Sequence, residues 1–324
     1  MRLGIIGTGR IAKRFVKEAA YVDGIVLTAV FNPHAGSASR FVSDACAEDD
    51  RYAKAIPDAT EDPAVFWGKV DAVYIASPHE THYSYVMEAL KNGKHVLCEK
   101  PLCFKRKEAE EAFAEAKAQG LVLFEAIKTA YCPGFAKLLE VAKSGLIGEI
   151  CNVEATFTKL EDPNSRELTD LAYGGSFTEL GSYVLLPALK LLGTKYLELR
   201  FDSVKSENGL DLFTRATLTY PQGMATLTCG LGVKSEGRLL VCGTKGYLIA
   251  EAPWWKTRHF EAHFEDASLI KEYSEEFLGD GLRYELQDFL SAIEQNAPES
   301  SKLSVDQSVA FASIMEMFLS SASR

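Results

Sequence analysis

The sequence predicts an α/β protein of two domains, a doubly wound parallel sheet followed by an α+β domain with a mostly antiparallel open sheet. Three observations support this prediction. The chain has 324 residues, about twice the usual length of one domain. Short apolar runs alternate with amphipathic stretches over residues 1–122, as expected for repeated βαβ units. In residues 123–324 most predicted strands alternate apolar and polar residues, which is typical of an antiparallel sheet with one solvated face.

Five continuous apolar runs predict the strands of the first domain. They occupy residues 3–6, 26–31, 72–76, 96–98 and 122–124. Continuous hydrophobicity is expected of parallel strands that are buried on both faces. Helical periodicity lies between these runs, at residues 11–20, 37–46, 83–90 and 105–118. We therefore expect strands and helices to alternate up to a domain boundary near residue 122.

The second domain, residues 123–324, is predicted to bind substrate and to form oligomer contacts. Its predicted helices are residues 133–143, 182–192, 282–294 and 305–320, and its predicted strands are residues 197–204, 212–220, 225–231 and 238–241. Turn sequences at Asn208-Gly209 and Pro221-Gln222-Gly223 favour antiparallel connections. A solvated sheet face of this kind commonly becomes a subunit interface, so we expect a homodimer or homotetramer.

Composition narrows the classes of partner. Aspartate and glutamate number 45 against 35 lysines and arginines, a formal net charge of −10, which disfavours nucleic acid as a partner. No apolar run reaches the roughly 18 residues of a membrane span, and residues 1–4 lead directly into a predicted strand, so we expect neither a membrane partner nor a signal peptide. Seven cysteines without a Cys-x-x-Cys pair indicate a reducing, cytoplasmic compartment. His259 and His263 have no third ligand near them, so no metal site is expected.

A glycine-rich turn is the first functional signal. Gly7-Thr8-Gly9-Arg10-Ile11-Ala12 lies between the first predicted strand and the first predicted helix. A Gly-x-Gly-x-x-Ala turn in this context lets the backbone approach a pyrophosphate at the helix N-terminus. We therefore predict a Rossmann dinucleotide-binding domain. Its predicted cofactor contacts here are Gly7, Thr8, Gly9, Arg10 and Ile11.

The second predicted strand is followed by Asn32, at the position where an acidic residue would bind the ribose hydroxyls of NAD. Asparagine can bond a ribose hydroxyl and does not repel a 2′-phosphate. No arginine follows immediately to bind such a phosphate, although Arg10 or His34 could do so in part. Asn32 is therefore a predicted cofactor contact, and the choice between NAD and NADP stays open.

The segment that ends in Cys98-Glu99-Lys100-Pro101 is the second functional signal. Ligands of open α/β sheets bind beyond the carboxyl ends of the strands, so Lys100 would project toward the cofactor. From the position of Lys100 alone, an active-site lysine and an exposed Glu99–Lys100 surface ion pair are equally good explanations. Such a surface pair would contribute ~0–1 kcal/mol to stability.

Three motifs in order resemble those of the Gfo/Idh/MocA oxidoreductases. They are the glycine turn, the run from Ile75 to Pro101 that contains Ser77-Pro78-His79 and Glu99-Lys100-Pro101, and Gly174-Gly175-Ser176-Phe177-Thr178-Glu179-Leu180-Gly181-Ser182-Tyr183. The resemblance covers essentially the whole chain. Gly243-Thr244-Lys245-Gly246-Tyr247 and Pro253-Trp254-Trp255 favour the branch that is similar to dihydrodiol dehydrogenase and glucose–fructose oxidoreductase. The resemblance to this family implies hydride transfer between NAD or NADP and a carbinol or carbonyl carbon of a small sugar, polyol or cyclic diol.

The resemblance also implies roles for single residues. Lys100 matches the lysine that hydrogen-bonds the reacting hydroxyl or carbonyl, and Tyr183 matches a tyrosine that serves as the proton donor. Glu179 stands where many members have a substrate-binding aspartate. Lys128 lies two residues before a common arginine position, and is either a substrate ligand or a solvent-facing lysine.

The remaining cofactor contacts implied by the resemblance are Ser77, Pro78, His79, His82, Glu99 and Lys100. For His82 a structural role at a helix start competes with contact to the cofactor. One alternative for the whole protein is a non-catalytic NAD(P)-binding sensor or regulator of the same fold. Such a protein needs the glycine turn but neither Lys100 nor Tyr183, and both residues are present here.

Overall fold

The computed structural model describes residues 1–48 and 57–322 and divides the chain into two compact units. The first unit comprises the described residues of Met1–Lys128 and of Leu278–Ala312. The second comprises those of Thr129–Phe277 and of Ser313–Arg324. No helix within the described ranges combines the length and apolarity needed to cross a bilayer.

The first unit is built on a six-stranded parallel sheet of order β3-β2-β1-β4-β5-β6. Its strands are β1 (Arg2–Ile6), β2 (Val26–Phe31), β3 (Asp58–Thr60), β4 (Ala72–Ile75), β5 (His95–Glu99) and β6 (Leu123–Ala126). This is the order of a Rossmann fold, in which the carboxyl ends of β1 and β4 flank the point where the strand order reverses. The predicted fold class of the first domain is therefore confirmed.

Within its described residues, the first unit contains the four helices predicted for the first domain and two more. They are α1 (Arg10–Ala19), α2 (Ser37–Glu48), α3 (Pro63–Trp67), α4 (His82–Lys91), α5 (Arg106–Ala118) and α10 (Leu282–Glu294), and a 3-10 turn covers His79–Thr81. Helix α3 was not predicted. Helix α10 was predicted at these residues but as part of the second domain, whereas it packs against α1 and contacts β5. The compact units therefore differ from the division predicted at residue 122, because β6 continues the first sheet and α10 returns to it.

The core of the first unit forms from the apolar strands and the helix faces that cover them. Leu3, Ile5 and Ile6 of β1 are at most 1% exposed. The ring of Phe15 on α1 stacks on that of Tyr74 on β4, with centroids 3.6 Å apart. A Cβ at Gly4 would lie 2.6 Å from the ring of Phe66, so this glycine lets α3 approach β1.

The second unit contains an eight-stranded sheet of order β14-β13-β12-β11-β7-β10-β9-β8. Its strands are β7 (Ile150–Thr158), β8 (Glu198–Lys205), β9 (Asp211–Tyr220), β10 (Gly223–Gly230), β11 (Arg238–Gly243), β12 (Gly246–Glu251), β13 (His259–Phe264) and β14 (Ile270–Ser274). Only the pairing of β7 with β10 is parallel. The prediction of a mostly antiparallel sheet is confirmed, with both predicted turns in place on either side of β9.

The helices of this unit are α7 (Pro133–Lys143), α8 (Arg166–Thr169) and α9 (Ser176–Leu191), with a 3-10 turn at Trp254–Lys256. Two further helices cross a unit boundary, α6 (Lys128–Tyr131) and α11 (Val305–Ala322). Helix α9 packs on β7, β9 and β10. Its sequence is apolar on nearly all sides, as expected for a helix that lies in a core.

Candidate active site

The glycine turn between β1 and α1 has the geometry of an anion cradle. Gly7 has φ +97°, and a Cβ there would lie 2.6 Å from the carbonyl oxygen of Ala76, so only glycine fits this position. A Cβ at Gly9 would meet no atom of the described residues within 4 Å. Gly9 immediately precedes α1, whose first N–H groups have no partner within the helix, so the helix N-terminus begins beside this open space. These residues fit a dinucleotide pyrophosphate.

The end of β2 is bonded to this turn through Asn32. Its amide Nδ2 donates to Thr8 Oγ1 at 2.8 Å, and its Oδ1 accepts from the His34 backbone N–H at 2.9 Å. Thr8 and Asn32 are half-buried, whereas Arg10 and His34 are exposed. The sequence-predicted contacts Thr8 and Asn32 are therefore neighbours in the fold, although the residues are 24 positions apart.

The loop after β4 carries four of the predicted cofactor contacts. Thr81 Oγ1 donates within this loop to Ser77 Oγ at 2.7 Å. His82 is fully buried, with Nδ1 2.8 Å from the carbonyl oxygen of Pro101 and Nε2 2.9 Å from that of Ser77. Burial lowers the pKa of His82, so the ring is neutral and donates to one of the two carbonyls at a time. His82 therefore joins this loop to the segment that follows Lys100.

The remaining predicted contacts of this loop lie beside His82. The His79 ring centroid is 5.5 Å from that of His82. Ser77 and His79 are half-buried, and Pro78 is exposed.

Glu99 and Lys100 lie at the carboxyl end of β5. Glu99 is buried, and its Oε1 accepts a hydrogen bond from the Tyr74 hydroxyl at 2.5 Å while its Oε2 accepts from the Lys100 backbone N–H at 3.3 Å. Burial raises the pKa of Glu99, and the Tyr74 hydrogen bond opposes that rise. Lys100 is half-buried and forms a cis peptide bond with Pro101. The alternative of an exposed Glu99–Lys100 surface pair is wrong, because Glu99 is 7% exposed.

Lys128 is 6% exposed, so the alternative of a solvent-facing lysine is also wrong. Its Nζ donates to the carbonyl oxygen of Asp280 at 3.0 Å. Its charge acts on two buried carboxyls, those of Glu99 and Glu285. A buried ammonium is tolerated where carboxyls and carbonyl oxygens surround it.

Two buried carboxyls near this group carried no signal in the sequence. Glu285 on α10 is fully buried, and neither of its oxygens has a hydrogen-bond partner among the described residues. Burial and the neighbouring carboxylates raise its pKa well above the usual range. Glu125 on β6 accepts from the Leu102 backbone N–H at 3.0 Å, and burial raises its pKa to about 7. Both would have to be recognised by their packing, which a single sequence does not display.

In the second unit, Glu179 and Tyr183 are set apart from the rest of α9. Between Ser176 and Leu189 these two residues are half-buried, and all the remaining residues of the helix are buried. They are four residues apart and so share one face of the helix. The predicted pair therefore occupies the accessible face of an otherwise buried helix.

Within the second unit, Tyr183 lies at one end of a chain of aromatic ring contacts. Its ring centroid is 5.3 Å from that of Phe157 on β7, at an interplanar angle of 66°. Phe157 stacks on Trp255 at 3.6 Å, and Trp255 is half-buried. Trp254 is fully buried and donates from Nε1 to the Thr156 carbonyl at 2.8 Å, so it is a packing residue. We call Tyr183, Phe157 and Trp255 the aromatic trio.

Within the described ranges, no group of three or more His, Cys, Asp or Glu side chains is arranged to hold a metal ion. His259 and His263 both lie beside Glu261 on β13, with the His263 Nε2 atom 2.6 Å from its carboxylate. This group is a hydrogen-bonded cluster of side chains on the strand.

Comparison with known proteins adds to this geometry. A family model described as an oxidoreductase family with an NAD-binding Rossmann fold, GFO/IDH/MocA, matches residues 1–127. The model of the GFO/IDH/MocA C-terminal domain matches residues 135–249. The two models therefore match residues of both units.

Similar curated proteins are dehydrogenases. A scyllo-inositol 2-dehydrogenase (NADP(+)) of Bacillus subtilis (strain 168) is 29% identical over 322 residues, which are 98% of this chain and 95% of the relative. A trans-1,2-dihydrobenzene-1,2-diol dehydrogenase of Sus scrofa is 30% identical over 254 residues, 76% of each chain. A 3-ketoreductase from Actinomadura kijaniata, solved with TDP-benzene and NADP, shares the fold with a TM-score of 0.79 at 24% identity, covering 98% of this chain and 96% of that one.

Proposed function

Because the chain belongs to the Gfo/Idh/MocA oxidoreductase family, we propose that it oxidises or reduces a cyclic polyol or diol, with Lys100 and Tyr183 as its catalytic residues. It is an NAD(P)-dependent oxidoreductase that acts on small molecules. The observation that carries the residue assignment is the buried Glu99, which accepts a hydrogen bond from the Lys100 backbone and so holds Lys100 at the carboxyl end of β5.

The glycine turn supports the binding of the cofactor. Gly7, Thr8, Gly9, Arg10 and Ile11 would hold the pyrophosphate, and Asn32 the adenosine ribose. When bound, the nicotinamide supplies or accepts the hydride. We propose that NADP is preferred over NAD, because Asn32 carries no charge that would repel a 2′-phosphate. The Bacillus subtilis relative carries NADP(+) in its name.

The nicotinamide side of the site is assigned to the loop after β4. Ser77, Pro78 and His79 would line it. His82, bonded to the carbonyls of Ser77 and Pro101, would keep this loop and the Lys100 segment together. Glu99 would shape the same region, since it is buried and bonds the backbone N–H of Lys100.

Lys100 is proposed to bind the reacting oxygen through its ammonium group. A cation there lowers the proton affinity of a hydroxyl and stabilises negative charge that develops on the oxygen in the transition state. Two hydrogen bonds hold the carboxylate of Glu99, one from Tyr74 and one from the Lys100 backbone. Such support restricts Lys100 to few conformations, which favours a defined reaction geometry.

Tyr183 is proposed to hold the proton that the substrate hydroxyl loses in oxidation and regains in reduction. A tyrosine hydroxyl can serve as a general acid or base in proton transfer. Tyr183 is one of only two half-buried residues between Ser176 and Leu189 of α9. Its accessibility on a buried helix supports a role in contact with substrate.

The aromatic trio supports a ring-shaped substrate. Trp255 is half-buried and stacks on Phe157, whose ring lies edge-on to that of Tyr183. An accessible aromatic ring packs well against the C–H face of a cyclic molecule. Glu179 would accept a hydrogen bond from a second hydroxyl. Lys128 is proposed as an indirect substrate contact, since its ammonium is already bonded to Asp280. The two relatives act, by their names, on scyllo-inositol and on a cyclic diol.

The proposal extends to a homodimer or homotetramer in a reducing, cytoplasmic compartment. None of the seven cysteines, all of which lie in described residues, forms a disulfide. This supports a reducing compartment. The oligomer is proposed from the open face of the second sheet.

The test uses Lys100→Met in the full-length protein. Wild type is assayed with NADP⁺ and either scyllo-inositol or trans-1,2-dihydrobenzene-1,2-diol, by absorbance of the reduced nicotinamide. We expect Lys100→Met to lower kcat by about a thousandfold or more while the Kd for NADP⁺, measured by calorimetry, changes by less than about threefold.

Lys105→Met is the matched control, since Lys105 is an exposed lysine five positions along that pairs with Glu108; its kcat should equal that of wild type. Turnover by Lys100→Met at the wild-type rate would refute the assignment. Silence of the wild type on both substrates together with tight NADP⁺ binding would instead support a non-catalytic sensor.

A further inference from the structure

We propose that Asp211 on β9 is a positioning residue for Tyr183, because its buried carboxylate fixes the N-terminus of the helix that carries Tyr183 and Glu179. The inference rests on the proposed function of Tyr183 and deepens it. Nothing in the spacing of the motif from Gly174 to Tyr183 indicates such a partner, since Asp211 lies 34 residues beyond Phe177.

The carboxylate of Asp211 binds the first turn of α9 directly. Its Oδ2 accepts a hydrogen bond from the Phe177 backbone N–H at 2.9 Å and another from Thr214 Oγ1 at 2.6 Å. Asp211 is 5% exposed. Since the first N–H groups of a helix have no partner within the helix, a carboxylate there both satisfies a donor and opposes the positive end of the helix dipole.

The main chain of Asp211 binds the same turn a second time. Its carbonyl oxygen accepts from the Ser176 hydroxyl at 2.9 Å, and the Ser176 oxygen in turn accepts from the Leu231 backbone N–H at 2.9 Å. The first two residues of α9, Ser176 and Phe177, are therefore both bonded to one residue of β9.

The two glycines before α9 leave the capping role to Asp211. Gly175, which precedes the helix, has φ +104°, and a Cβ there would lie 2.1 Å from Asp211 Oδ1. The Thr178 hydroxyl donates to the carbonyls of Gly174 and Gly175, and neither glycine has a side chain that could accept from the helix N–H groups. The usual side-chain cap from the preceding residue is thus replaced by a carboxylate from the sheet.

Anchoring of the first turn determines where Tyr183 lies. Tyr183 follows Phe177 by six residues, which a regular helix spans in about 9 Å. Gly181 lies between them, and a Cβ there would lie 2.9 Å from Met315 Cε, so the helix packs closely at this point. A helix released at its N-terminus would move or fray at this end, and a misplacement of about 1 Å at a reacting group costs on the order of a hundredfold in rate.

The experiment compares Asp211→Ala, Asp211→Asn and Tyr183→Phe in the full-length protein at pH 8, using scyllo-inositol and trans-1,2-dihydrobenzene-1,2-diol with NADP⁺. This pH keeps the carboxylate ionised, since burial raises the pKa of Asp211 to about 6. We expect Asp211→Ala to lower kcat by about tenfold or more, with the KM for NADP⁺ within about twofold of wild type. Asp211→Asn keeps an acceptor for the Phe177 N–H, so we expect it to recover most of the lost kcat.

Hydrogen–deuterium exchange measures how firmly the N-terminal part of α9 is held, and it needs no substrate. Peptides that cover residues 174–184 should exchange faster in Asp211→Ala than in wild type, whereas peptides of α5 should not change. Asp266→Ala is the matched control, because this exposed aspartate accepts from the Ser268 N–H at 2.9 Å and from its hydroxyl at 2.7 Å. It should leave both kcat and the exchange of residues 174–184 unchanged.

The outcomes separate the two proposals. If Tyr183→Phe loses turnover while Asp211→Ala keeps wild-type kcat, or if exchange of residues 174–184 is unchanged, the role of Asp211 is refuted and that of Tyr183 stands. If Tyr183→Phe turns over at the wild-type rate, both roles are refuted. If Asp211→Ala does not fold, Thr214→Val takes its place, because it removes one hydrogen bond to the Asp211 carboxylate. Unchanged kcat and unchanged exchange of residues 174–184 in Thr214→Val would then refute the inference.

Discussion

The Tyr74 hydroxyl donates to Glu99 Oε1 at 2.5 Å, and both residues are buried on the adjacent strands β4 and β5. Phe15 stacks on the Tyr74 ring, so Tyr74→Phe removes the hydroxyl and leaves the packing. Because that hydrogen bond opposes the effect of burial, its loss raises the pKa of Glu99 further. We expect the free energy of unfolding, measured with urea, to fall by about 1–3 kcal/mol and kcat to fall several-fold.

Tyr83→Phe is the control for this change. The Tyr83 hydroxyl also donates to a glutamate, Glu111, at 2.8 Å, but this bond is exposed. We expect a loss of less than about 0.5 kcal/mol and an unchanged kcat. Equal losses in the two variants would contradict the view that the buried bond supports Lys100.

Asn32→Asp should reverse the choice of cofactor. Asn32 accepts from the His34 N–H and contacts Thr8 Oγ1, and aspartate can keep both bonds because the threonine hydroxyl can donate as well as accept. The added negative charge repels a 2′-phosphate and binds the ribose hydroxyls of NAD. We expect kcat/KM with NADP⁺ to fall by about tenfold or more and that with NAD⁺ to rise, measured on the same substrate. Parallel changes for both cofactors would show that Asn32 does not contact this part of the ribose.

Glu125→Gln should change how stability depends on pH. Burial raises the pKa of Glu125 to about 7 in the folded protein, above the ~4.3 of an unfolded chain. The folded state therefore binds this proton more tightly, and the resulting stability is fully present below about pH 4 and is lost as the pH rises through about 7. Glutamine stays neutral throughout and still accepts from the Leu102 N–H.

We therefore expect the free energy of unfolding and the Tm of Glu125→Gln to equal those of wild type at pH 4 and to exceed them increasingly up to about pH 7. Above that pH the difference in free energy should stay constant, at up to about 4 kcal/mol. Glu110→Gln is the control, since Glu110 is an exposed partner of Arg106. An advantage that is already complete at pH 4 would show that the carboxyl of Glu125 is not the titrating group.

Local patterns of sequence were enough to predict the elements that position the candidate site. The apolar run before Gly7, the strand that ends at Glu99 and the four-residue spacing of Glu179 and Tyr183 each depend on neighbours along the chain. The short strand β3 was not predicted, because its three residues, Asp58–Thr60, are polar or small and none of them is buried.

The parts that the sequence did not reveal depend on contacts between distant segments. Segment Leu278–Ala312 returns to the first unit, and with it Glu285 enters the neighbourhood of Lys128. The burial of Lys128 follows from this return, since its ammonium bonds the Asp280 carbonyl 152 residues away. The hydrogen bond from the Phe177 N–H to the Asp211 carboxylate also joins residues that are far apart in the sequence. A charged residue in a single sequence gives no sign of the partner that makes its burial tolerable.

Two glycine substitutions isolate the contact between Gly175 and Asp211. Gly175 and Gly209 both have positive φ, +104° and +91°, but a Cβ at Gly209 would meet no described atom within 4 Å, whereas one at Gly175 would lie 2.1 Å from Asp211 Oδ1. Gly209→Ala should therefore show only the backbone strain of about 1 kcal/mol. Gly175→Ala should lose about 2 kcal/mol more in urea unfolding and also lower kcat, because the carboxylate must leave the helix N-terminus.

The double variant Gly175→Ala/Asp211→Ala decides whether this carboxylate is the cause. Residues in contact show non-additive effects on stability. With Asp211 already replaced, the added Cβ meets no carboxylate, so Gly175→Ala should then cost about as much as Gly209→Ala does in wild type. If the losses in unfolding free energy of Gly175→Ala and Asp211→Ala simply add in the double variant, the strain at Gly175 arises from the backbone alone. The helix N-terminus would then not depend on the position of the Asp211 carboxylate.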